Sequence, residues 1–160
     1  MKKKIVDAER VAAVSSQMRQ EGRQLVFTNG CFDLLHVGHV RYLQAARALG
    51  DALMVAINGD DSTRALKGES RPLNREAERA ELIAALECVD YVVIFPEVRA
   101  TALLEQVRPA IYVKGGDYTA ATLDPEEREV LERAGAKIRI LPFEKGYSTS
   151  GLIEKMRASP

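Results

Sequence analysis

Apolar residues recur along the chain with two periods that take turns. From Asp7 to Glu21 the residues Val11, Val14 and Met18 fall three or four apart, the spacing of one helix face, with Asp7 as an N-cap and Gly22 as a stop. Beyond this helix, which the pattern sets outside the main repeat, apolar runs of strand length occur at Leu25 to Thr28, Ala52 to Asn58, Tyr91 to Phe95, Ala110 to Val113 and Lys137 to Leu141. Helical patterns separate them at Val37 to Leu49, Arg75 to Glu87, Ala100 to Val107 and Pro125 to Ala134, and a last helix runs from Thr149 to Arg157. This alternation predicts an α/β fold: one doubly wound, Rossmann-like, five-stranded parallel sheet with helices on both faces. Gly50 and Gly135 stand where helices should stop, and Asp124-Pro125-Glu126-Glu127 supplies an N-cap, a first-turn proline and an acidic third position. The longest irregular stretch, Gly59 to Asn74, reads as a loop.

A length of 160 residues suits one domain over 1–160, with an N-terminal helix over 1–22 and an α/β core over 24–157. Lys plus Arg and Asp plus Glu both total 23, so no surplus of positive charge exists to track a phosphate backbone, and nucleic acid is excluded as a main partner. Cys31 and Cys88 are too few for a disulfide framework and lack the paired spacing of a zinc site, which suits a reducing compartment. No apolar run reaches the roughly twenty residues that cross a bilayer, and the opening lysines lead into Asp7 and Glu9 rather than a signal-peptide core. The expectation is a cytoplasmic protein with no membrane partner.

Ligands of open α/β sheets lie beyond the carboxyl ends of the strands, which directs attention to 29–39, 58–75, 114–119 and 142–149. The first of these holds both histidines of the chain, in Asn29-Gly30-Cys31-Phe32-Asp33-Leu34-Leu35-His36-Val37-Gly38-His39. Gly30 would let the backbone turn beneath a phosphate, and the helix start near Val37 would aim free N–H groups at an anion. Residues three apart share a helix face, so His36 and His39 can present two imidazoles to one group, with Gly38 allowing close approach. The competing reading is a pair of structural histidines. Zinc pairs on a helix usually stand four apart with a further ligand, and no third histidine exists, so no metal site is assigned.

Neither Gly-x-x-x-x-Gly-Lys-Ser/Thr nor Gly-x-Gly-x-x-Gly occurs, which argues against a P-loop phosphotransferase and a dinucleotide-binding dehydrogenase. Ser148 in Gly146-Tyr147-Ser148-Thr149-Ser150 is an ordinary helix cap read alone; beside the histidine pair, the same segment offers Ser148, Thr149 and free N–H groups to further phosphates. The segment Leu66-Lys67-Gly68-Glu69-Ser70-Arg71-Pro72 brings two cations beside a glycine, with Arg75 and Arg79 on the next helix; solvated loop charges are the alternative. In Lys114-Gly115-Gly116-Asp117-Tyr118 two glycines permit a flat ligand against the backbone, and Asp117 can accept from a ribose hydroxyl or an exocyclic amine; a plain turn is the alternative.

These segments resemble the cytidylyltransferase-like nucleotidyltransferases, whose Gly-x-Phe-Asp-x-x-His-x-Gly-His pattern is matched from Gly30 to His39. Within that family the heptose 1-phosphate adenylyltransferase branch is resembled through Thr28-Asn29-Gly30, Asn58-Gly59-Asp60, Leu66-Lys67-Gly68 with Arg71-Pro72, Val113 to Tyr118, and Gly146 to Thr149. The likeness covers nearly everything after about Gln24. It implies transfer of AMP from ATP to D-glycero-β-D-manno-heptose 1-phosphate, giving pyrophosphate and ADP-heptose, a lipopolysaccharide core precursor, with Mg²⁺ carried mostly by the nucleotide.

It also implies roles. His36, His39 and Lys67 are the catalytic candidates. Asn29, Gly30, Cys31, Phe32, Asp33, Gly38, Lys114, Gly115, Gly116, Asp117, Tyr118, Ser148 and Thr149 are the nucleotide-binding ones, and Asn58, Asp60, Arg71 and Arg79 face the sugar phosphate. The partners implied are small molecules, with a separate heptose kinase upstream; a homo-oligomer stays open. One departure stands out: many relatives carry Arg-Thr-Glu-Gly-Ile-Ser-Thr-Ser, whose Arg-Thr positions here are Phe143-Glu144, with Lys145 a candidate replacement. The rival readings are a cytidylyltransferase for glycerol 3-phosphate or a related alcohol phosphate, and a non-catalytic nucleotide sensor. A synthetase using His-x-Gly-His would need a tRNA-binding domain that 160 neutral residues do not accommodate.

Overall fold

A computed structural model describes residues 4–116, 119–142 and 144–159. Its elements, in chain order, are α1 (Ala8–Gln20), β1 (Leu25–Gly30), α2 (Val37–Arg47), β2 (Ala52–Asn58), α3 (Asp60–Lys67), α4 (Glu76–Ala84), β3 (Tyr91–Phe95), α5 (Thr101–Val107), β4 (Ile111–Gly115), a single 3₁₀ turn (Ala120–Thr122), α6 (Pro125–Arg133), β5 (Lys137–Leu141) and α7 (Thr149–Ala158). The strands form one parallel sheet in the order β3-β2-β1-β4-β5.

Because successive strand residues face opposite ways, the buried strands feed two cores. Phe27, Met54, Ala56, Val93 and Tyr112 pack with Val11 and Met18 of α1, Leu104 of α5 and Leu131 of α6. Val26, Leu53, Val55, Ile57, Val92 and Val113 pack on the other face with Leu43 and Ala46 of α2 and Ala80 and Ile83 of α4. The predicted doubly wound sheet is thus present with helices on both faces. Successive crossovers carry the chain from β1 to β2 to β3, and the next strand returns to the far side of β1. The reversal opens a crevice at the carboxyl ends of β1 and β4.

The caps follow the sequence. Asp7 accepts from Arg10 N, Asp124 from the N–H groups of Glu126 and Glu127, and Ser148 from Gly151 N. Gly22 and Gly135 leave their helices at φ 68° and 70°, a region that favours glycine. One expectation fails: the stretch from Gly59 to Asn74 is not all loop, since α3 occupies its first half. The residues that α3 buries are Ser62 and Thr63, whose hydroxyls donate to Gly59 O and Asn58 O, so the helix has an inward face without an apolar signature. α2 and α4 end sooner than their apolar patterns, because Leu49 N and Leu86 N close tighter turns onto Ala46 O and Ile83 O. β1 and β4 each extend two residues further toward the crevice than their apolar runs. Among the described residues no helix is long and apolar enough to cross a membrane.

Candidate active site

A cavity of about 410 Å³ opens at the crevice, lined by Asn29 to Asp33, His36, His39, Tyr42, Lys67, Arg71, Lys114, Gly115 and Tyr147 to Ser150. The sequence assigned the tight turn to Gly30. In the fold Gly30 is still the last residue of β1, and the left-handed residue is Phe32, at φ 48°. What Gly30 provides is room, since a Cβ there would lie 3.1 Å from the Phe32 ring. Asn29 is held from below by the buried Tyr112, whose hydroxyl donates to Asn29 Oδ1 at 2.9 Å.

His36 is the N-cap of α2 and His39 lies in its first turn, so the helix start brings the two rings face to face, 3.9 Å between centroids and 28° apart. The stack continues in both directions: Phe32 is tilted against His39 at 5.5 Å, Tyr147 is stacked on His36 at 6.4 Å, and the Arg41 guanidinium lies 5.8 Å from the Tyr147 ring centre. Gly38 is needed for this, because a Cβ would come within 2.9 Å of His36 Nδ1 and 3.0 Å of Tyr147 Cβ. Burial pushes the His36 imidazole below its ordinary 6.5. Burial, and then the neighbouring His36, pushes His39 to about 4. Both rings are therefore neutral at pH 7. The His36 backbone N–H points to His39 Nδ1 at 3.4 Å, which leaves the His39 proton on Nε2, and His36 Nδ1 is buried with no partner among the described residues.

Through His39 the stability of the fold depends on pH. With the folded value near 4 and an unfolded value near 6.5, the unfolded chain binds more protons between these limits, so stability rises with pH across that window and is lost as pH falls through it. Urea unfolding of His39→Gln between pH 6.5 and 4 is expected to show a flatter decline than the unaltered protein; equal slopes would exclude His39 as the source.

Asp33 is buried, and its carboxylate accepts from Leu73 N at 2.9 Å, Asn74 N at 3.0 Å and Arg71 Nε at 2.5 Å. Burial alone would raise its pKa, but the Asn74 and Leu73 amides and the Arg71 guanidinium outweigh it and hold Asp33 below 3.8. Its carboxylate is thus occupied in tying the loop after α3 to the β1 loop. That tie sets Arg71 at the cavity, with Lys67 at the end of α3 beside it. Lys114, at the end of β4, lines the same cavity, and burial lowers its pKa below 10.5. Ser148, capping α7, and Thr149, whose hydroxyl donates to Leu34 O at 3.3 Å, complete the far wall.

Five of the sequence candidates do not reach the cavity wall. Gly38 and Gly116 are absent from its lining. Asn58 is buried, with its amide directed to the carbonyls of Glu97 and Val98. Asp60 accepts from Glu76 N while Glu76 accepts from Asp60 N, each at 2.8 Å, a reciprocal cap that joins α3 to α4. Arg79 is wholly buried, with its guanidinium bonded to Asn74 O, Cys31 O, Asn58 O and Asp60 Oδ1. Asp117 and Tyr118 lie outside the described residues, as does Phe143. Glu144 forms an ion pair with Arg41, so a cation does reach this loop, supplied by α2. Tyr42, Tyr147 and Ser150, which are not among the sequence candidates, also line the cavity. Tyr42 follows His39 by three residues on one helix face, a spacing already legible in the sequence. The buried Tyr42 hydroxyl, pushed up to about 12 by burial, pairs with Thr28 Oγ1 at 2.8 Å.

Comparison with known proteins agrees with this geometry. The cytidylyltransferase-like family profile matches residues 27–155. The protein named bifunctional protein HldE of Geotalea uraniireducens is 51% identical over 157 residues, covering 96% of this chain and 31% of that protein. Its counterpart of the same name in Geobacter sulfurreducens is 48% identical over 153 residues, with the same coverages. The chain therefore spans about a third of the length of the curated relatives it matches. Among solved structures, the lipopolysaccharide core biosynthesis protein from Thermoplasma volcanium shares 29% identity at a TM-score of 0.63, covering 79% of this chain and all of that one. A pantoate-beta-alanine ligase from Francisella tularensis, 15% identical at a TM-score of 0.59 and covering 92% of this chain and 69% of its own, shares the fold. With its sheet order, its paired histidines at the first crossover and the profile match over most of its length, the chain belongs to the cytidylyltransferase-like family of nucleotidyltransferases.

Proposed function

We propose that residues 24–157 act as one adenylyltransferase unit that moves AMP from ATP to D-glycero-β-D-manno-heptose 1-phosphate, releasing pyrophosphate and ADP-heptose. The observation that carries this reading is the stacked, neutral histidine pair at the start of α2, in one cavity with Lys67, Arg71, Lys114, Ser148 and Thr149. An oxygen of the sugar 1-phosphate attacks the α-phosphorus in line, the new P–O bond forms, and the bond to pyrophosphate breaks. Such a transfer needs no protein nucleophile, and positioning and charge stabilisation supply the rate. His36 and His39, with the 30–33 backbone, face the α-phosphate and the bridging oxygen. Lys67 and Arg71 meet the incoming sugar phosphate. Ser148 and Thr149 meet the departing pyrophosphate, and the Lys114 to Tyr118 segment meets the nucleoside.

No group of three or more potential metal-ligand side chains occurs among the described residues, and Asp33 is already committed to Arg71 and two amides. Mg²⁺ would accordingly be held by the nucleotide phosphates and water, where it neutralises charge on the leaving group. The reading sets the reaction in the cytoplasm among small-molecule partners. Its sugar 1-phosphate comes from a kinase-type reaction, either in a separate protein or in the part of the longer relatives that this chain does not span.

Pyrophosphate release, measured over a matrix of nucleoside triphosphates and sugar or alcohol phosphates, tests the proposal. ATP with the heptose 1-phosphate is expected to give the highest kcat/KM. Comparable values for CTP with glycerol 3-phosphate would reassign the chain to the alcohol-phosphate branch, and nucleotide binding without release would make it a sensor.

A further inference from the structure

Arg79 lies on α4, outside the cavity, yet it is joined to the cavity wall. Its guanidinium is completely buried and serves four acceptors: Nε donates to Asn74 O at 3.0 Å, one terminal nitrogen donates to Cys31 O at 2.6 Å and Asn58 O at 2.8 Å, and the other donates to Asp60 Oδ1 at 2.8 Å. A delocalised, planar cation with five donors can hold four backbone and side-chain oxygens at fixed mutual angles, which an ammonium on a flexible stem cannot. Of these contacts, the one to Cys31 O bears directly on the proposed chemistry.

We infer that Arg79 is a positioning residue that orients the Cys31–Phe32 peptide so that the Phe32 N–H is presented to the α-phosphate. The inference rests on the nucleotidyltransferase reading above. The Cys31–Phe32 peptide is trans, the Arg71–Pro72 bond being the cis peptide among the described residues, and in a trans peptide the C=O and N–H point in opposite directions across one plane. With Cys31 O drawn into the protein toward Arg79, the Phe32 N–H is turned the other way. Cys31 and Phe32 both line the cavity, and among the described residues no protein group accepts from Phe32 N. The left-handed backbone at Phe32, φ 48°, is uncommon for an aromatic residue and persists where surrounding bonds over-determine it. The Arg79 contact to Cys31 O is one such bond. The donor so fixed needs no reorganisation when charge builds on a phosphoryl oxygen.

The test joins kinetics to a direct view of the amide. In Arg79→Lys, which keeps the charge, kcat is expected to fall about tenfold to a hundredfold while the KM for the sugar phosphate moves less than about threefold, as for loss of a transition-state donor. Melting temperature and the fraction of folded protein are measured alongside, with Arg79→Met as a second variant in case one fails to fold. ATP is then titrated, without sugar phosphate, into ¹⁵N-labelled protein. The Phe32 amide proton is expected to move downfield in the unaltered protein and by less than half as much in Arg79→Lys. A kcat loss accounted for by the unfolded fraction, or a Phe32 amide silent while those of Gly30 and Thr149 respond, would overturn the assignment of Arg79 alone. Silence of every cavity amide toward ATP would overturn the nucleotide reading and this inference with it.

Discussion

Replacing His39 by alanine is expected to slow turnover about a hundredfold to a thousandfold while leaving ATP affinity nearly unchanged, the signature of a lost donor to a charge that grows in the transition state. The geometry supports this split. His39 is neutral, with burial holding it near 4, and its Nδ1 faces the His36 N–H, so its remaining proton sits on Nε2 in a fixed ring. A neutral donor adds little to ground-state attraction for a polyanion and more once a five-coordinate phosphorus places extra charge on its oxygens. Steady-state kinetics with isothermal titration of ATP distinguishes the outcomes: a higher dissociation constant at full turnover would make His39 a binding residue, and wild-type values for both would remove it from the mechanism. His36→Ala is expected to resemble it, with the added loss of the stack to Tyr147.

The second large effect is expected at Asp33. In Asp33→Ala the amides of Leu73 and Asn74 and the guanidinium of Arg71 lose their acceptor in a site where the Asp33 side chain is 2% exposed and that of Arg71 15%. Breaking a buried pair from one side costs about 3–5 kcal/mol. For a chain of this length that corresponds to a melting temperature lower by roughly 10 °C. The loop from Lys67 to Asn74 would also lose its tie to the β1 loop, so the KM for the sugar phosphate should rise in the fraction that remains folded. Differential scanning calorimetry with saturation kinetics checks both, and an unchanged melting temperature would show that the carboxylate is dispensable. Because Asp33 is held below 3.8, its contribution is present above that value and is lost as pH falls through its lowered one.

The strands and the first crossover were legible because their signals are local. β2 and β3 run where continuous apolar residues do, β5 runs where Ile138 and Ile140 alternate with Lys137 and Arg139, and His36, Gly38 and His39 sit at a junction whose spacing already put the imidazoles on one face. α3 was hidden because hydroxyls, satisfied by nearby carbonyls, fill its inward face. Where Arg79 and Asp60, both substrate-contact candidates, direct their charges is not legible from the charges alone, because a charged residue beside a cationic loop carries no local mark of its direction. A mark did exist for Arg79, which precedes the buried Ile83 by four residues and therefore shares its inward face. Asp60 could not be read this way, since its partners Glu76 and Arg79 lie 16 and 19 residues along the chain and meet it only after α3 and α4 have docked.

α7 buries none of its residues completely, unlike α1, α2 and α4, which each insert several into the cores. The hold of α7 and the loop before it on the rest of the chain includes the Thr149 contact to Leu34 O, the Tyr147 ring on His36 and the Arg41 pair with Glu144, all of them to the first crossover more than a hundred residues earlier. Contacts between such distant segments carry a large loop-closure cost before they are rewarded, and a helix without a buried face ranks low in local stability. The last wall of the cavity is thus expected to be a late product of folding, so that a chain with its sheet complete can still lack a finished site.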